Sequence, residues 1–478
     1  MAWRQWLLVA GVAVVVCTFY LGGARSLTEH EIQVAGSARQ MALDHQWLVP
    51  KIGDQPFLEK PLLPQWLVIA SATLLGKFSE TTARLPSALA GIGVVLVITW
   101  LALQWFGARV AIFTGLVQAT SVYFITYARL CESDMNLAFI IVLALAVFVR
   151  CESIGYTATM PHRLLPMAFW ALVGLSNLAK GLGFGPFLIL VPCVSYLILR
   201  KDRAAWLRLV SWTGWGLALV LAFSWPILMA RWYPEAVSLW REEIARRVQG
   251  AAGYQQPWYY YLTTVPWQLL PWTPALLLSA AASLTRAKGN ARSADRFIWC
   301  WTITPIVLLS FCPGKHHHYI ISCLCALSPL CALGLLRLGI QFATVCIAIV
   351  CAGILGVHAF VLSRFDRSRD DREFLLRVRP VIGADARLAT IGGSEIARHI
   401  FYVDPPPVGI WFASNLEKRF HGTPFYVIAR RRDEAALGSS GHVLLISESA
   451  HTRQEQNAND RFALFLVEPT TVTSGGNP

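Results

Sequence analysis

Long apolar runs are the feature that most constrains the fold of this 478-residue chain. Hydrophobic residues make up 55% of it, charged residues only 14%, and the mean hydropathy is +0.50. A helix needs about 20 apolar residues to cross about 30 Å of hydrocarbon, and a soluble protein of this size would not need so many runs of that length. The sequence therefore predicts a polytopic α-helical membrane protein. Its 19 Trp and 13 Tyr fit aromatic belts at the two interfaces.

The spans and their orientation follow from apolar runs and basic loops. Basic clusters at 200–203 and 286–296 mark the cytoplasmic side. Counting from them places both Asp134 and Lys180 outside only if the stretch 85–127 hides three short crossings or if one of the twelve readable segments is re-entrant. We favour three crossings, which gives thirteen spans instead of the twelve readable ones, near 5–23, 62–76, 85–106, 108–127, 135–150, 164–180, 183–199, 206–230, 266–284, 297–312, 318–336 and 340–362.

Net charge and cysteines exclude two classes of protein. The formal net charge is +13, but much of it lies in short loops between spans. There the charges are expected to set the orientation of the spans in the membrane and to contact lipid headgroups. We expect no nucleic-acid partner. Most of the 11 Cys lie inside apolar runs, where Cys behaves as a small hydrophobe, so no disulfide framework is predicted. The run up to about Gly23 lacks a compelling cleavage site, and we expect an uncleaved first span.

The chain is predicted to have two domains. Residues 1–362 would form the membrane domain, with loops 24–61 and 231–265 on the outer side. Residues 363–478 would form a small extracytoplasmic α/β domain. Its strands are expected at the β-like runs 387–391, 424–429, 442–447 and 462–468, separated by Gly and Pro clusters and at least one short helix.

The loop 24–61 concentrates charged groups directly beside membrane helices. Glu29, His30 and Glu31 follow the first span, and an amphipathic interfacial helix is predicted over 31–43. These residues either take part in catalysis or cap the helix that follows, since acidic side chains are favoured at a helix N-terminus. At the end of the loop, Glu59 and Lys60 lie between prolines, which suits a phosphate-binding cation beside a carboxylate, although a lysine at an interface can also reach toward lipid headgroups.

Further polar groups adjoin spans on the same predicted side. A carboxylate, three cations and a phenol share this placement: Asp134, Lys180, Arg246, Lys315 and Tyr319. Charged groups facing lipid are costly, so they normally mark a functional site. Carboxylates plus several cations at membrane level suit a substrate with a lipid tail and a phosphate, in which the cations hold the phosphate and a carboxylate removes a proton from the acceptor.

The run His316-His317-His318 raises the question of a metal. Three consecutive side chains cannot all point at one ion in a regular element, and zinc sites prefer spaced ligands. No cofactor is predicted with certainty, and a divalent metal is left open.

These residues together resemble bacterial GT-C glycosyltransferases, in the branch of aminoarabinose transferases and protein O-mannosyltransferase-like enzymes. The first-loop pattern carries most of the resemblance, from Glu31 through Asp44 to the segment Pro56-Phe57-Leu58-Glu59-Lys60-Pro61. Weaker matches follow in order: 129–134, 179–181, 257–260 and 315–319. The resemblance covers residues 1 to about 340.

The resemblance implies inverting transfer of a sugar from a polyprenyl-phosphate donor to lipid A, protein or a polysaccharide of the cell envelope. It implies a bacterial inner-membrane protein with its site and C-terminal domain facing the periplasm. Glu59 and Lys60 match the family's Glu-Lys, with Lys60 implied as a phosphate ligand. Asp134 matches a second functional carboxylate. Residues implied to surround the phosphate are Lys180, Lys315 and Tyr319.

One departure from the family concerns the catalytic base. The acidic pair of the family corresponds to His30-Glu31, so His stands where Asp is usual, and the base stays open among Glu31, Glu29 and His30. A metal-binding His of some members corresponds to Tyr254, so a metal is not implied.

Two other classes of function stay open. A transporter or flippase of a polyprenyl-linked substrate would share spans and cations, but it should show broken spans with polar groups near mid-membrane. A catalytically altered member of the same fold is favoured by His30. A mere membrane anchor for the C-terminal domain would need only one or two spans.

Overall fold

A computed structural model describes residues 1–23, 25–53, 55–153, 160–201, 203–207, 209–249, 255–285, 290–365, 369–383, 386–391, 395–403, 408–410, 420, 423–438, 441–449 and 461–468. The chain divides into two compact units. The first unit comprises residues 1–21, 58–64 and 84–361, and the second comprises 22–57, 65–83 and 362–478. The first-loop segment and the C-terminal region thus fall in one unit, and the boundary predicted at 362/363 stays a proposal for the domain architecture.

The first unit is helical. Its helices in chain order are α1 (Trp3–Thr18), α4 (Glu80–Phe106, whose first turn belongs to the second unit), α5 (Ala108–Ala119), α6 (Val122–Ala128), α7 (Ser133–Ser153), α8 (Met160–Lys180), α9 (Phe184–Arg200), α10 (Arg203–Leu207), α11 (Trp212–Trp232), α12 (Glu235–Gln249), α13 (Tyr260–Gln268), α14 (Thr273–Thr285), α15 (Asn290–Ser310), α16 (Ile321–Cys325), α17 (Ser328–Arg337) and α18 (Ile340–Gly356). A 3₁₀ turn at His317–Ile320 precedes α16.

Length and composition qualify several of these helices as membrane spans. In the described part of the chain, α4, α7, α11 and α18 are long and apolar enough to cross a bilayer, and two bent helix pairs raise the number to as many as six. Helices α1, α8, α9 and α14 are apolar but shorter. The fold class predicted from the sequence, a helical integral membrane protein with a small sheet-containing C-terminal region, is confirmed.

The stretch 85–127 differs from the favoured expectation. It holds one long helix, α4, followed by α5 and α6, which are bent by 63° at Thr120-Ser121. At 12 and 7 residues, neither short helix spans about 30 Å at 1.5 Å per residue. The structure therefore favours one broken or re-entrant segment over three short crossings. A second bend of 61° separates the segment His317–Cys325 from α17, and Ser328 at that bend donates a 2.7 Å hydrogen bond to Oε1 of Gln118.

A buried arginine side chain holds the end of α1 in the first unit. The guanidinium of Arg129 donates to the carbonyl oxygens of Val16 (2.9 Å), Cys17 (3.1 Å) and Phe19 (2.6 Å) at the end of α1. The last carbonyls of a helix have no intrahelical partner, and a cation suits the negative end of its dipole. This contact gives Arg129 a structural role.

The second unit combines the first-loop segment with the C-terminal region. Helix α2 (Glu29–Leu43) lies within the first loop, followed by the two-stranded pair β1 (Lys51–Ile52) and β2 (Gln55–Pro56) and by α3 (Leu63–Leu74), which begins in the first unit. The C-terminal region adds α19 (Arg369–Ile382), α20 (Glu395–Tyr402) and α21 (Glu434–Leu437). The helix predicted at 31–43 is confirmed and begins two residues earlier.

A five-stranded mixed sheet forms the core of the C-terminal region. Its strands are β3 (Leu388–Ile391), β4 (Val408–Ile410), β5 (Phe425–Arg430), β6 (His442–Glu448) and β7 (Phe462–Glu468), in the order β4-β3-β5-β7-β6. Strand β3 pairs in parallel with β4 and β5, and the β5–β7 and β6–β7 pairs are antiparallel. The four predicted strands are confirmed, and β4 is an additional one.

Within the second unit, α2 packs closely against α20. A Cβ atom at Gly36 would lie 2.4 Å from the carbonyl oxygen of Ala397, so only glycine permits this approach. Three residues further along α2, the buried guanidinium of Arg39 donates to the carbonyl oxygens of Ile400 (2.5 Å) and Val403 (2.8 Å). Arg39 thereby satisfies carbonyls at the end of α20 that lack intrahelical partners.

Candidate active site

An ion pair between two helix ends forms the centre of the candidate site. Asp134 is the second residue of α7, where a carboxylate suits the positive end of the helix dipole, and Lys180 is the last residue of α8, where a cation suits the negative end. The Lys180 ammonium donates to Oδ1 of Asp134. The two side chains are only 12% and 9% exposed. The pair therefore places a carboxylate and an ammonium side by side at two helix ends.

The chain turns sharply directly after Lys180. Gly181 and Gly183 have φ values of +96° and +86°, a region that side chains with a Cβ rarely adopt. Asn177, one turn before the end of α8, accepts a 2.8 Å hydrogen bond from the Gly183 N–H through its side-chain oxygen. These contacts fix the end of α8 and hold the Lys180 backbone in place.

Aromatic rings and one imidazole surround the ion pair. The Lys180 ammonium lies 5.1 Å from the ring centre of Tyr319 and 5.6 Å from that of Phe184, within the range of cation–π attraction. Nε2 of His318 lies 4.0 Å from Oδ1 of Asp134. The ion pair is therefore bordered by two aromatic rings and one imidazole.

The segment that carries His318 and Tyr319 is tied down on several sides. The Tyr261 hydroxyl donates to the His316 carbonyl (3.2 Å), and the Gln268 side-chain amide donates to the His317 carbonyl (2.8 Å). The Tyr123 hydroxyl lies 2.6 Å from Nδ1 of His317. Helices α6 and α13 thus position this segment beside Asp134.

Lys60, in the segment before α3, interacts electrostatically with the carboxylates of Asp134 and Glu132. Burial lowers the pKa of Lys60 from its ordinary value, the nearby carboxylates of Glu132 and Asp134 raise it, and the ammonium of Lys180 lowers it further. A partly desolvated lysine beside a second cation gains most from an added negative charge. Glu59, its neighbour, is exposed and raises the pKa of Lys60 only weakly.

A cavity of about 70 Å³ lies beside Lys180. Glu59, Lys180 and Glu243 supply its charged groups, and the indole N–H of Trp240 donates to the Leu58 carbonyl (2.8 Å) at its wall. The remaining wall is largely apolar and comes from α8, α11, α12 and the segment before α3: Leu58, Pro61, Leu178, Leu182, Ala222, Trp225, Pro226 and Ile244. The space is amphipathic, with charges at one part and apolar side chains around the rest.

The structure brings together only some of the predicted site residues. Lys180 contacts both Asp134 and Tyr319, and Lys60 interacts electrostatically with the ion pair. Lys315 is buried, and its ammonium donates to the Gln256 carbonyl (2.9 Å). Arg246 belongs to α12, but its side chain lies outside the described part of the structure, as does Tyr254.

The first-loop candidates belong to the second unit. Glu29 and His30 are exposed in the first turn of α2. Glu31 is buried, and its carboxylate accepts a 2.9 Å hydrogen bond from the Thr28 N–H. The Thr28 hydroxyl accepts from the Glu31 N–H in return (3.4 Å), which forms a capping box. The capping interpretation is thus confirmed for Glu31, whose catalytic role stays a prediction.

Among the described residues, no group of three or more His, Cys, Asp or Glu side chains is arranged to hold a metal ion. The His316 and His318 rings stack with centroids 5.2 Å apart, while the His317 ring faces Tyr123 and Tyr127. The His317 ring thus points away from the stacked rings of His316 and His318.

Sequence reasoning missed His318 and Tyr123 as members of the site. The His run was weighed only as a metal site, although its position between Lys315 and Tyr319 was a usable signal. Tyr123 lies in an apolar run, and only the spacing of Tyr123 and Tyr127 on one helix face marks it.

Comparison with protein-family models identifies a match over residues 59–229, to the family described as dolichyl-phosphate-mannose-protein mannosyltransferase. Among curated proteins, an undecaprenyl phosphate-alpha-4-amino-4-deoxy-L-arabinose arabinosyl transferase of Erwinia tasmaniensis is 27% identical over 310 residues, 63% of this chain and 54% of the relative. One with the same name from Pectobacterium carotovorum is 29% identical over 324 residues, covering 65% and 55%. The chain spans about half the length of the curated relatives it matches.

Solved structures agree on the fold. ArnT from Cupriavidus metallidurans bound to undecaprenyl phosphate matches with a TM-score of 0.79 and 20% identity, covering 100% of both chains. An oligosaccharyltransferase of Archaeoglobus fulgidus matches with a TM-score of 0.54 and 12% identity, covering 90% of this chain and 68% of the other. The chain has the fold of the GT-C glycosyltransferases. Within that class, its resemblance to the aminoarabinose transferase and mannosyltransferase branch is confirmed.

Proposed function

We propose that this protein is an integral-membrane glycosyltransferase that moves a sugar from a polyprenyl-phosphate donor to an acceptor in the cell envelope. The observation that carries the proposal is the buried Asp134–Lys180 ion pair, with Lys60 nearby and Tyr319 against the lysine. It combines a carboxylate with two cations at the ends of membrane helices. The relatives named for undecaprenyl phosphate, and ArnT bound to that lipid, support this donor class.

The donor phosphate would lie against Lys60 and Lys180. Both ammonium groups interact with Asp134, and the phosphate would add a further negative charge beside the partly desolvated Lys60. As the sugar–phosphate bond breaks, negative charge develops on the leaving polyprenyl phosphate, and preoriented cations stabilise that charge. Lys315 and Arg246 are kept as further proposed phosphate ligands, and the apolar wall of the cavity suits the first part of a lipid tail.

A carboxylate would take the proton of the acceptor as it attacks the anomeric carbon, with inversion at that carbon. Asp134 serves this step when Lys180 turns toward the phosphate, because the carboxylate then loses its partner while staying ionised. Glu29 and His30 of the first loop stay proposed alternatives, since both are exposed. Glu31 has a capping contact to preserve and is the weaker choice.

The acceptor class, lipid, protein or glycan, and the periplasmic orientation in a bacterial inner membrane belong to this proposal. The relatives are named for 4-amino-4-deoxy-L-arabinose, which makes that sugar the first donor to test.

A transporter or flippase is the second candidate function, and one observation favours it. The two bent helix pairs are broken or re-entrant segments of the kind found in transporters, and Ser328 and Gln118 join them by a hydrogen bond. A catalytically altered glycosyltransferase is the third, because His30 replaces the usual acid.

The test uses the purified full chain in proteoliposomes with undecaprenyl phosphate carrying a radiolabelled sugar, together with envelope lipids as acceptor. We expect label to appear on acceptor lipid, and Asp134→Asn to abolish its appearance. Movement of intact labelled donor across the bilayer without transfer would favour the flippase. Specific binding of donor with neither transfer nor movement would favour the altered member.

A further inference from the structure

A second polar cavity lies at the opposite ends of the helices that carry the candidate active site. Asp134 is near the start of α7, whereas Glu152 lies 18 residues later, about 27 Å away along the helix axis. Arg200 likewise ends α9, which begins beyond Lys180. A cavity of about 470 Å³ is found here, within the size range of ligand sites.

The lining of this cavity is cationic and rich in hydrogen-bonding groups. Two guanidinium groups, Arg200 and Arg296, face one carboxylate, Glu152, which is itself 6% exposed and ion-paired with Arg200. Hydroxyls of Tyr196 and Ser293 line it as well. The cavity therefore has a net positive charge and donors that suit phosphate oxygens. Aromatic rings complete its wall: Trp105, Phe148 and Phe297.

A neighbouring cavity of about 310 Å³ shares two lining residues, Leu199 and Arg296, with this cationic cavity of about 470 Å³. The two cavities therefore adjoin. The wall of the neighbouring cavity is mainly apolar and includes Leu284, Trp299 and Ile303. A cationic, hydroxyl-lined cavity beside an apolar one matches an amphiphile that has a phosphate head and an acyl chain.

We propose that these adjoining cavities bind the headgroup and first acyl segment of an anionic phospholipid. The basic loops predict this end of the helices to be cytoplasmic, and anionic lipids concentrate in the cytoplasmic leaflet. The apolar cavity commits the proposal to a lipid over free phosphate. The site is separate from the proposed transfer site, so the two proposals fail independently.

The test measures lipid adducts of the purified full chain by native mass spectrometry. The probes are dioleoylphosphatidylglycerol and dioleoylphosphatidylcholine, and the variant is Arg296→Gln, which removes an exposed cation that lines both cavities. We expect the wild type to prefer the anionic lipid, and the variant to lose about fivefold in affinity for it. Arg109→Gln is the matched control, because Arg109 is exposed in the first turn of α5 and does not line either cavity.

Three results would overturn the proposal. They are no preference for phosphatidylglycerol in the wild type, an equal loss in the Arg296 and Arg109 variants, and binding of inorganic phosphate without retention of lipid. Equal melting temperatures of the two variants and the wild type would show that lost adducts do not reflect unfolding. Sugar transfer measured on the same Arg296→Gln sample is expected to stay at the wild-type level.

Discussion

Two buried cations of this protein, Lys180 of the first unit and Arg39 of the second, are held by different kinds of partner. In the first unit, Lys180 is paired with another side chain, the carboxylate of Asp134. In the second, Arg39 binds the backbone carbonyls of Ile400 and Val403, which belong to the end of α20. A side-chain partner can turn away and let an incoming anion take its place, whereas a helix carbonyl cannot leave without unfolding the helix. The first arrangement suits a site that exchanges partners, and the second suits a permanent structural link.

Breaking the ion pair is expected to have the largest effect. Lys180→Met or Asp134→Asn leaves an unpaired group that is about nine-tenths buried, and it should cost about 3 kcal/mol of stability. Transfer should fall by about 10³-fold if Asp134 is the base. The double variant should recover stability but not activity. Thermal melting measures the stability, and the proteoliposome assay measures the transfer. If the double variant recovered both stability and transfer, the ion pair would be purely structural.

Substitutions of Lys60 test whether a cation near the Asp134–Lys180 ion pair binds the donor phosphate. Lys60→Ala should raise KM for the donor by about 30-fold, the equivalent of about 2 kcal/mol of lost phosphate interaction. Since burial lowers the pKa of Lys60, the wild type should lose donor binding as the pH rises through that lowered value. Lys60→Arg should keep binding to higher pH, because arginine stays protonated. An identical alkaline profile in both proteins would remove Lys60 from the phosphate site.

Arg39 tests the second half of the comparison. Arg39→Met removes the donor for two buried carbonyls and should destabilise the second unit by about 2 kcal/mol. Arg432→Met, at a side chain that is 60% exposed, is the matched control and should change stability by less than about 0.5 kcal/mol. Hydrogen exchange of α2 and α20 resolves the effect locally. Unchanged exchange in the Arg39 variant would contradict the structural link.

At neutral pH His399 gives the smallest expected effect, and that effect grows as the pH falls. This residue is buried in α20 beside the Thr390 hydroxyl, and burial lowers its pKa to about 3. The unfolded chain binds a proton near the ordinary value of about 6.5, so stability is lost as the pH falls from there toward 3, by up to about 1.4 kcal/mol per pH unit. Melting of His399→Gln between pH 4 and 7 should show a shallower dependence, and an unchanged slope would contradict this account.

The sequence predicted helices, strands and candidate site residues better than the tertiary contacts between them. Periodicity identified α2 and four strands of the sheet because their apolar patterns are local. The short strand β4 was missed, since Val408–Ile410 follows three prolines that indicate a loop. A re-entrant segment was one alternative from the sequence, but the position of the bend at Thr120-Ser121 was not predicted, because no Pro or Gly marks that break.

The partners of the candidate residues depended on tertiary structure. Asp134 and Lys180 were both selected from the sequence, but they are 46 residues apart, and no local rule joins them. The same holds for His318 beside Asp134 and for Gly36 against Ala397. In each case the contact is set by how helices pack.

Measuring the binding of undecaprenyl phosphate shows whether the ion-pair site of the first unit receives a polyprenyl phosphate. The affinity of the wild type and of the Asp134→Asn, Lys180→Met double variant is measured in nanodiscs, with undecaprenol as the uncharged control. The account predicts that the double variant, matched in melting temperature, loses at least about tenfold in affinity for the phosphate and none for undecaprenol. Equal affinity of the two proteins for undecaprenyl phosphate would contradict it.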